Sequence, residues 1–256
     1  MPETIDLEMR GGDFRAIVES AGDGPPLLYL HGAVGQKGWA PFLERLSQQF
    51  TVYAPYLPGY GEATGLEHLA DLTDLTLYHL ALLDTLGVER AHVVGHFLGG
   101  MIAAEMAAFS PPSVNRIALA SPAGVWRDEE PVADLLALNA DELSERLAAT
   151  PAGPASLDGV ADMLARDRMQ DIAAAGKFLW PLPDKGLNRR AYRIKAPALI
   201  LWGEQDRINP PSYAADFQGL IAGSRARTVA DAGHLLMLEQ PDVFADLVAA
   251  FLNEGG

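Results

Sequence analysis

The sequence predicts an α/β protein built on a mostly parallel, doubly wound sheet. Short apolar segments rich in β-branched residues alternate with longer segments of helical periodicity, which is typical of parallel strands covered by helices on both faces. One apolar segment, beginning at Ala91, runs into three closely spaced glycines and then a helix, and this indicates a sharp strand-to-helix turn. A chain of 256 residues, about half of them apolar, is long enough for one large domain.

The N-terminal elements are short strands separated by turn residues. Strands are predicted over 4–9 and 14–19, with a hairpin turn at Gly11-Gly12-Asp13 between them. A wholly apolar strand over 27–30 follows and ends at His31-Gly32-Ala33. A glycine after a strand usually marks a turn. The His-Gly pair indicates a function only together with the motifs described below.

The remaining core elements follow the same alternation. Their predicted ranges are 50–54, 91–94, 114–120, 198–202 and 226–229 for strands, and 39–48, 69–86, 101–109, 210–220 and 241–252 for helices. The helix over 69–86 has leucines near helical spacing and ends before Gly87, a residue common at helix C-termini. The last helix, over 241–252, is amphipathic.

The pattern changes after Gly124. From Trp126 to about Arg190 the sequence shows helical segments and no convincing strand. One helical group contains Leu135, Leu136 and Leu138, a second contains Leu143 and Leu147, and a third covers 160–175. We therefore predict a helical insertion over 125–191 in a core formed by 1–124 and 192–256.

Composition excludes several classes of partner. The net charge of −15 disfavours nucleic acid and anionic membrane surfaces, which attract Lys and Arg. The chain has no cysteine, so disulfides, cysteine-ligated zinc and a cysteine nucleophile are excluded. The acidic N-terminus is no signal peptide, and no segment is long enough to span a membrane. We expect a cytoplasmic protein that acts on a small molecule.

The glycine-flanked turn has the frame of a nucleophile elbow, Gly-x-Ser-x-Gly, but its central residue is Phe97. An elbow residue adopts a strained backbone conformation so that its side chain points into the site. A benzyl group cannot attack a carbonyl, and it would fill the space where the reacting carbon should lie. The frame therefore indicates an enzyme, whereas the residue at its centre argues against the usual chemistry.

Two further chemical residues follow predicted strands. Asp206 and His234 each come after a strand, and ligands of open α/β sheets bind at the carboxyl ends of strands. Histidine can take a proton near neutral pH, and a carboxylate behind it fixes the imidazole tautomer. Alone, Asp206 would be a capping residue and His234 a loop histidine; together with position 97 they form the order nucleophile, acid, base.

These motifs carry a family resemblance. The sequence resembles the α/β-hydrolase superfamily over its whole length, and is most similar to the cap-bearing esterase, C–C hydrolase and haloperoxidase-like branch. The matching pieces are Leu30-His31-Gly32, Pro58-Gly59-Tyr60-Gly61, Gly95-His96-Phe97-Leu98-Gly99-Gly100, Leu201-Trp202-Gly203-Glu204-Gln205-Asp206, and Gly233-His234 with Glu239-Gln240-Pro241.

The resemblance implies roles for further residues. It implies an oxyanion hole made by the backbone N–H groups of Ala33 and Leu98. It also implies that residues 125–191 form a helical cap over the pocket, and that there is no cofactor or metal. The candidates for contact with the substrate are His31, Gly32, His96 and Trp126. The histidines other than His234 show no metal-ligand spacing and are interpreted as structural or surface residues.

Three functional hypotheses remain open. The first is a hydrolase, of a carboxylic ester or a C–C bond in a small apolar substrate, whose serine is replaced by Phe97, with little or no hydrolysis by this chain. The second is a lyase or cofactor-free oxygenase in which His234 and Asp206 act as a general base without a covalent step. The third is a non-catalytic binder of a small molecule.

Overall fold

The computed structural model describes residues 2–36, 38–149, 168–181 and 184–254. A single eight-stranded sheet runs through this described part of the chain. Its strands are β1 (Glu3–Met9), β2 (Phe14–Ala21), β3 (Pro26–Leu30), β4 (Thr51–Pro55), β5 (Ala91–His96), β6 (Val114–Ala120), β7 (Ala198–Gly203) and β8 (Arg225–Val229). The predicted α/β class with a mostly parallel sheet is confirmed.

The strand order is β1-β2-β4-β3-β5-β6-β7-β8. β1 and β2 pair antiparallel, β2 also pairs antiparallel with β4, and all other neighbours are parallel. The chain passes from β3 outward to β4 and then returns to the other side of β3 as β5. Such a reversal opens a crevice at the carboxyl ends of β3 and β5, where ligands bind in open α/β sheets.

Eight α-helices lie within the described residues. They are α1 (Pro41–Ser47), α2 (Leu72–Thr85), α3 (Leu98–Phe109), α4 (Ala140–Leu147), α5 (Arg168–Leu179), α6 (Tyr213–Leu220), α7 (Leu236–Glu239) and α8 (Pro241–Leu252). Asp71 caps α2 by accepting the N–H groups of Thr73 and Asp74, which fixes the start of the helix at Leu72, three residues after its predicted start. None of these helices combines the length and the apolar character needed to cross a bilayer.

The segment between β6 and β7 differs in detail from its prediction. Leu135 and Leu136 lie in a turn and not in a helix, because Asp134 accepts the N–H of Leu136 through its side chain and closes the backbone locally. Of the helix predicted over 160–175, residues 160–167 lie outside the described residues, and the described part, α5, continues to Leu179. α7, directly after His234, was not predicted because it is a single turn.

Candidate active site

The elbow residue lies between β5 and α3. Phe97 has φ 48° and ψ −105°, a conformation that non-glycine residues rarely adopt. The flanking glycines make it possible, since a Cβ on Gly95 would lie 2.2 Å from the Gly99 carbonyl oxygen and one on Gly99 would lie 2.0 Å from the Leu30 oxygen. The helix can therefore start directly against its own strand, and the side chain of residue 97 is directed by the backbone.

The acid and the base form a buried hydrogen-bonded pair. His234 Nδ1 donates to Asp206 Oδ2 at 2.9 Å, and both side chains are buried. The other carboxylate oxygen of Asp206 accepts the N–H groups of Ile208 and Asn209, each at 2.9 Å, so the carboxylate is held in place. This arrangement fixes the tautomer with the proton on Nδ1 and leaves a lone pair on Nε2. Nε2 has no hydrogen-bond partner among the described residues.

The phenyl ring of Phe97 lies directly against this imidazole. The ring centroids of Phe97 and His234 are 4.8 Å apart with an interplanar angle of 80°, an edge-to-face contact. Only 2% of Phe97 is exposed. The structure thus brings residues 97, 206 and 234 together, and an apolar ring occupies the place beside the base where a nucleophile would be expected.

His96 supports the same loop from the side of the elbow. Its Nε2 donates to the backbone carbonyl of His234 at 2.9 Å, and the two rings are 4.6 Å apart. Burial lowers the pKa of His96 well below its ordinary value, so its ring is neutral. The neighbouring loop needs Gly32, because a Cβ there would lie 2.4 Å from His96 Nδ1. His96 and Gly32 therefore lie beside the base and shape the loops around it, and their predicted contact with the substrate stays a prediction.

Two backbone N–H groups remain available near the elbow. Leu98 is the first residue of α3, so its N–H has no acceptor within the helix. Ala33 follows β3, and its N–H makes no hydrogen bond to another described residue. Ala33 and Phe97 line the same cavity, which brings the loop after β3 and the elbow to one place.

The cavity beside Phe97 is small and apolar. Its volume is about 20 Å³, which is room for about one water molecule. The core contributes Ala33 and Phe97, and the segment between β6 and β7 contributes the opposite wall, formed by Ala133, Asp134, Leu135, Leu136, Ala175, Gly176, Leu179 and Trp180. Leu136 is 49% exposed and Trp180 is 55% exposed, so both lie at the mouth. The Phe97 ring therefore forms part of the wall of a cavity that holds about one water molecule.

Two of the predicted substrate contacts, His31 and Trp126, make hydrogen bonds within the protein and do not line the cavity next to Phe97. His31 uses both ring nitrogens within the protein, since Nδ1 donates to the Gly32 carbonyl at 2.8 Å and Nε2 accepts the N–H of Leu57 at 3.0 Å. Burial lowers the pKa of His31 to about 4, so it is neutral and joins two loops. Trp126 donates its indole N–H to Asp128 and does not line the cavity.

The carboxylate of Glu239, from the Glu239-Gln240-Pro241 motif, also contacts the site. Glu239 accepts the N–H of Gly233 at 2.9 Å and the N–H of Ala149 at 2.7 Å. Burial raises the pKa of Glu239, although the two N–H donors act in the opposite direction. Spacing within the sequence could not reveal this role, because one of the partners is 90 residues away. The described residues contain no group of three or more His, Asp or Glu side chains arranged to hold a metal ion.

Comparison with known proteins identifies the family. A family model described as the alpha/beta hydrolase family matches residues 27–247. This chain therefore belongs to the α/β-hydrolase family.

Individual relatives include hydrolases. The chain is 27% identical over 277 residues to a 2-hydroxy-6-oxononadienedioate/2-hydroxy-6-oxononatrienedioate hydrolase of Paraburkholderia phymatum, covering 95% of this chain and 93% of that protein. It is 29% identical over 250 residues to the dihydrolipoyllysine-residue acetyltransferase component of the acetoin cleaving system of Cupriavidus necator, covering 91% of this chain. The match spans only 64% of the length of that second relative.

Solved structures show the same fold. The enol-lactonase from Burkholderia xenovorans matches with a TM-score of 0.83 and 23% sequence identity, covering 98% of this chain and all of the lactonase.

Proposed function

We propose that this chain carries the site of an α/β-hydrolase for a small apolar substrate, cleaved at a carboxylic ester or a C–C bond, in which Phe97 replaces the nucleophile and prevents the covalent step. Little or no hydrolysis is then expected from the chain itself. The observation that carries the proposal is the position of the Phe97 ring. It extends from a backbone with elbow geometry and lies 4.8 Å from the imidazole of an otherwise complete His–Asp pair.

The surrounding groups are arranged for acyl transfer. With a serine at position 97, His234 Nε2 would take the hydroxyl proton as the oxygen attacks, and Asp206 would stabilise the resulting imidazolium. The N–H groups of Ala33 and Leu98 would donate to the developing oxyanion. Residues 125–191 would act as the cap that encloses the substrate, since side chains from this segment form the outer wall of the cavity.

The loss of the nucleophile decides the outcome for this chain. In subtilisin, removing the triad serine costs about 10⁶ in turnover, although the other groups remain. Here the replacement also fills the reaction space, so substrate binding is opposed as well. The His–Asp pair alone does not restore the covalent route.

A second candidate is a general-base enzyme without a covalent step. The observation in its favour is that Nε2 of His234 keeps a free lone pair within the described residues, while Asp206 holds the ring. Such a base can remove a proton from an acidic C–H or O–H group. Phe97 would then be an apolar wall for the substrate.

Restoring the hydroxyl tests the first proposal. We expect the Phe97→Ser variant to hydrolyse short aryl esters at least about 100-fold faster than the unmodified chain, because the base and the oxyanion donors are already in place. It should also react with a fluorophosphonate probe, which labels activated serines. Circular dichroism and thermal unfolding must accompany the assay, since loss of a buried phenyl ring costs about 3–5 kcal/mol.

Phe97→Ala is the matched control, because it opens the same space without supplying a hydroxyl. Phe97→Ser combined with His234→Ala should lose both hydrolysis and labelling. A folded Phe97→Ser protein that is neither active nor labelled would contradict the proposal. Turnover by the unmodified chain that disappears in His234→Ala alone would favour the general-base candidate instead.

A further inference from the structure

Three consecutive residues at the end of α4, Leu147–Ala149, contact both loops that carry the His–Asp pair. On the side of the base, the N–H of Leu235 donates to the Leu147 carbonyl at 3.2 Å. On the side of the acid, the guanidinium of Arg207 donates to the Ala148 carbonyl at 2.6 Å and to the Ala149 carbonyl at 3.3 Å. The residues next to His234 and next to Asp206 are therefore bonded to one short segment.

Glu239 closes this set of contacts. One carboxylate oxygen accepts the N–H of Gly233, directly before the base, and the other accepts the N–H of Ala149. A carboxylate that receives a backbone N–H at each oxygen forms two charge-assisted hydrogen bonds, which are stronger than neutral ones. Glu239 thus connects the base loop to the segment after α4 by a route independent of Leu235.

The packing between these segments is close. A Cβ on Gly233 would lie 2.6 Å from the Ala149 nitrogen and 2.8 Å from the Ala148 carbonyl carbon. Leu147 and Ala148 are buried, and so is the base itself. A movement of Leu147–Ala149 therefore displaces the backbone of His234 and, with it, the imidazole.

We propose that Leu147–Ala149, together with the side chains of Arg207 and Glu239, forms a positioning clamp that holds the imidazole of His234 against Asp206. Arg207 and Glu239 are positioning residues, since neither lines the cavity next to Phe97. The catalytic role of the clamp rests on the proposed function. The structural connection between the loops of His234 and Asp206 is independent of that function.

Amide hydrogen exchange and the His234 Nδ1 proton test the clamp in the unmodified chain. We expect Glu239→Gln to accelerate exchange at Gly233 and Ala149 together, each by about tenfold, because a side-chain amide cannot accept from both N–H groups in the same geometry. The downfield Nδ1 proton signal, which reports the bond to Asp206, should broaden or move upfield. Arg207→Ala should accelerate exchange at Leu235 and Ala149, although neither amide bonds to Arg207.

Kinetics in the Phe97→Ser background give a second readout. Glu239→Gln should lower kcat by about 10-fold to 100-fold with little change in KM, because small displacements of a catalytic group affect the transition state more than binding. The matched controls are Glu89→Gln, which removes an exposed carboxylate, and Arg227→Ala, whose exposed guanidinium donates to the neighbouring carbonyl of Ala226.

Each outcome decides one statement. Exchange rates and a Nδ1 signal that match those of the controls would overturn the clamp. Faster exchange with an unchanged Nδ1 signal would overturn the positioning role, because the loops would then loosen without displacing the base. If Phe97→Ser has no activity, the proposed function fails while the exchange and the proton signal still decide the clamp.

Discussion

Four non-glycine residues of the described chain have positive φ, and two of them come directly after neighbouring central strands. Phe97 follows β5 and Ser121 follows β6. The backbone of Phe97 is fixed by its N–H, which donates to the Ala120 carbonyl, and by its carbonyl, which accepts from Ala123. The strained geometry is therefore imposed by the sheet and the start of α3, and it persists with a side chain that cannot act as a nucleophile.

Ser121 gives a prediction at this scale. Its φ is 42°, it is fully buried, and its hydroxyl has no hydrogen-bond partner among the described residues. Ser121→Gly should raise the free energy of unfolding by about 1 kcal/mol, because relief of the backbone strain and removal of the orphan hydroxyl exceed the entropic cost of glycine. Urea denaturation measures the change.

Ser121→Ala is the comparison, since it removes the hydroxyl and keeps the strain. It should stabilise less than Ser121→Gly. Equal effects of the two substitutions would assign the whole gain to the hydroxyl and contradict a contribution from φ.

The residues of the site could be predicted only where a local pattern marks them. The glycines around residue 97, and the positions of Asp206 and His234 after predicted strands, are visible in the sequence, and the structure brings these three residues together. The contacts of Glu239 and Arg207 are not visible, because their partners are backbone groups of a distant segment. The two contacts of His31 are hidden in the sequence for the same reason, since both partners are main-chain atoms.

At the level of elements, the predicted bounds of a helix are accurate where a residue typical of a helix end coincides with the end of the hydrophobic repeat. α8 begins at Pro241 and ends at Leu252 as predicted, because a proline in the first turn and an amphipathic repeat mark the same segment. The leucines at 135–138 have helical spacing. The side chain of Asp134 nevertheless accepts the N–H of Leu136, and this Asx turn forms in place of a helix. Local side-chain hydrogen bonds of this kind compete with helix formation.

An ion pair joins α3 to the segment that leads into β7. Glu105, on α3, is fully buried and accepts from the Arg190 guanidinium at two oxygens, at 2.7 and 2.6 Å. Arg190→Met should lower the free energy of unfolding by about 2–3 kcal/mol, because it leaves a buried carboxylate unpaired; this is below the 3–5 kcal/mol typical of fully buried pairs because the Arg190 side chain is 31% exposed.

The double variant separates the pair from its parts. Glu105→Met combined with Arg190→Met should recover most of the lost stability in urea denaturation, since no charge is then left buried. If the double variant is as unstable as Arg190→Met alone, the loss comes from the contact of the Arg190 guanidinium with the Phe109 ring and not from the unpaired charge.

At the scale of the whole molecule, buried histidines link stability to pH. His31, His79 and His92 each have a pKa lowered by burial to about 4. Burial also lowers the pKa of His96 well below its ordinary value of 6.5. Only the unfolded chain binds protons at these positions between pH 6.5 and about 4, so stability is fully present above 6.5 and falls as the pH decreases through this window. The raised pKa of Glu239 acts in the opposite direction and offsets a part of the change.

We therefore expect the urea midpoint to fall between pH 7.5 and 5, with each buried histidine contributing up to about 1.4 kcal/mol per pH unit. His79 is the residue to change, because its Nε2 is buried without a partner among the described residues. His79→Leu should reduce the pH dependence by about one proton's contribution while keeping the stability at pH 7.5, since leucine needs no hydrogen bond there.

His68 supplies the control, because its ring is 42% exposed, and His68→Gln should leave the pH dependence of the urea midpoint as it is in the unmodified chain. Comparing the urea midpoints of the unmodified chain, His79→Leu and His68→Gln at each pH then shows whether a histidine must be buried to affect the acid sensitivity. If His79→Leu keeps the full acid sensitivity, the protons taken up on unfolding bind elsewhere. Buried imidazoles would then not be the cause of the acid instability, and carboxylates that are paired in the folded state would have to account for it.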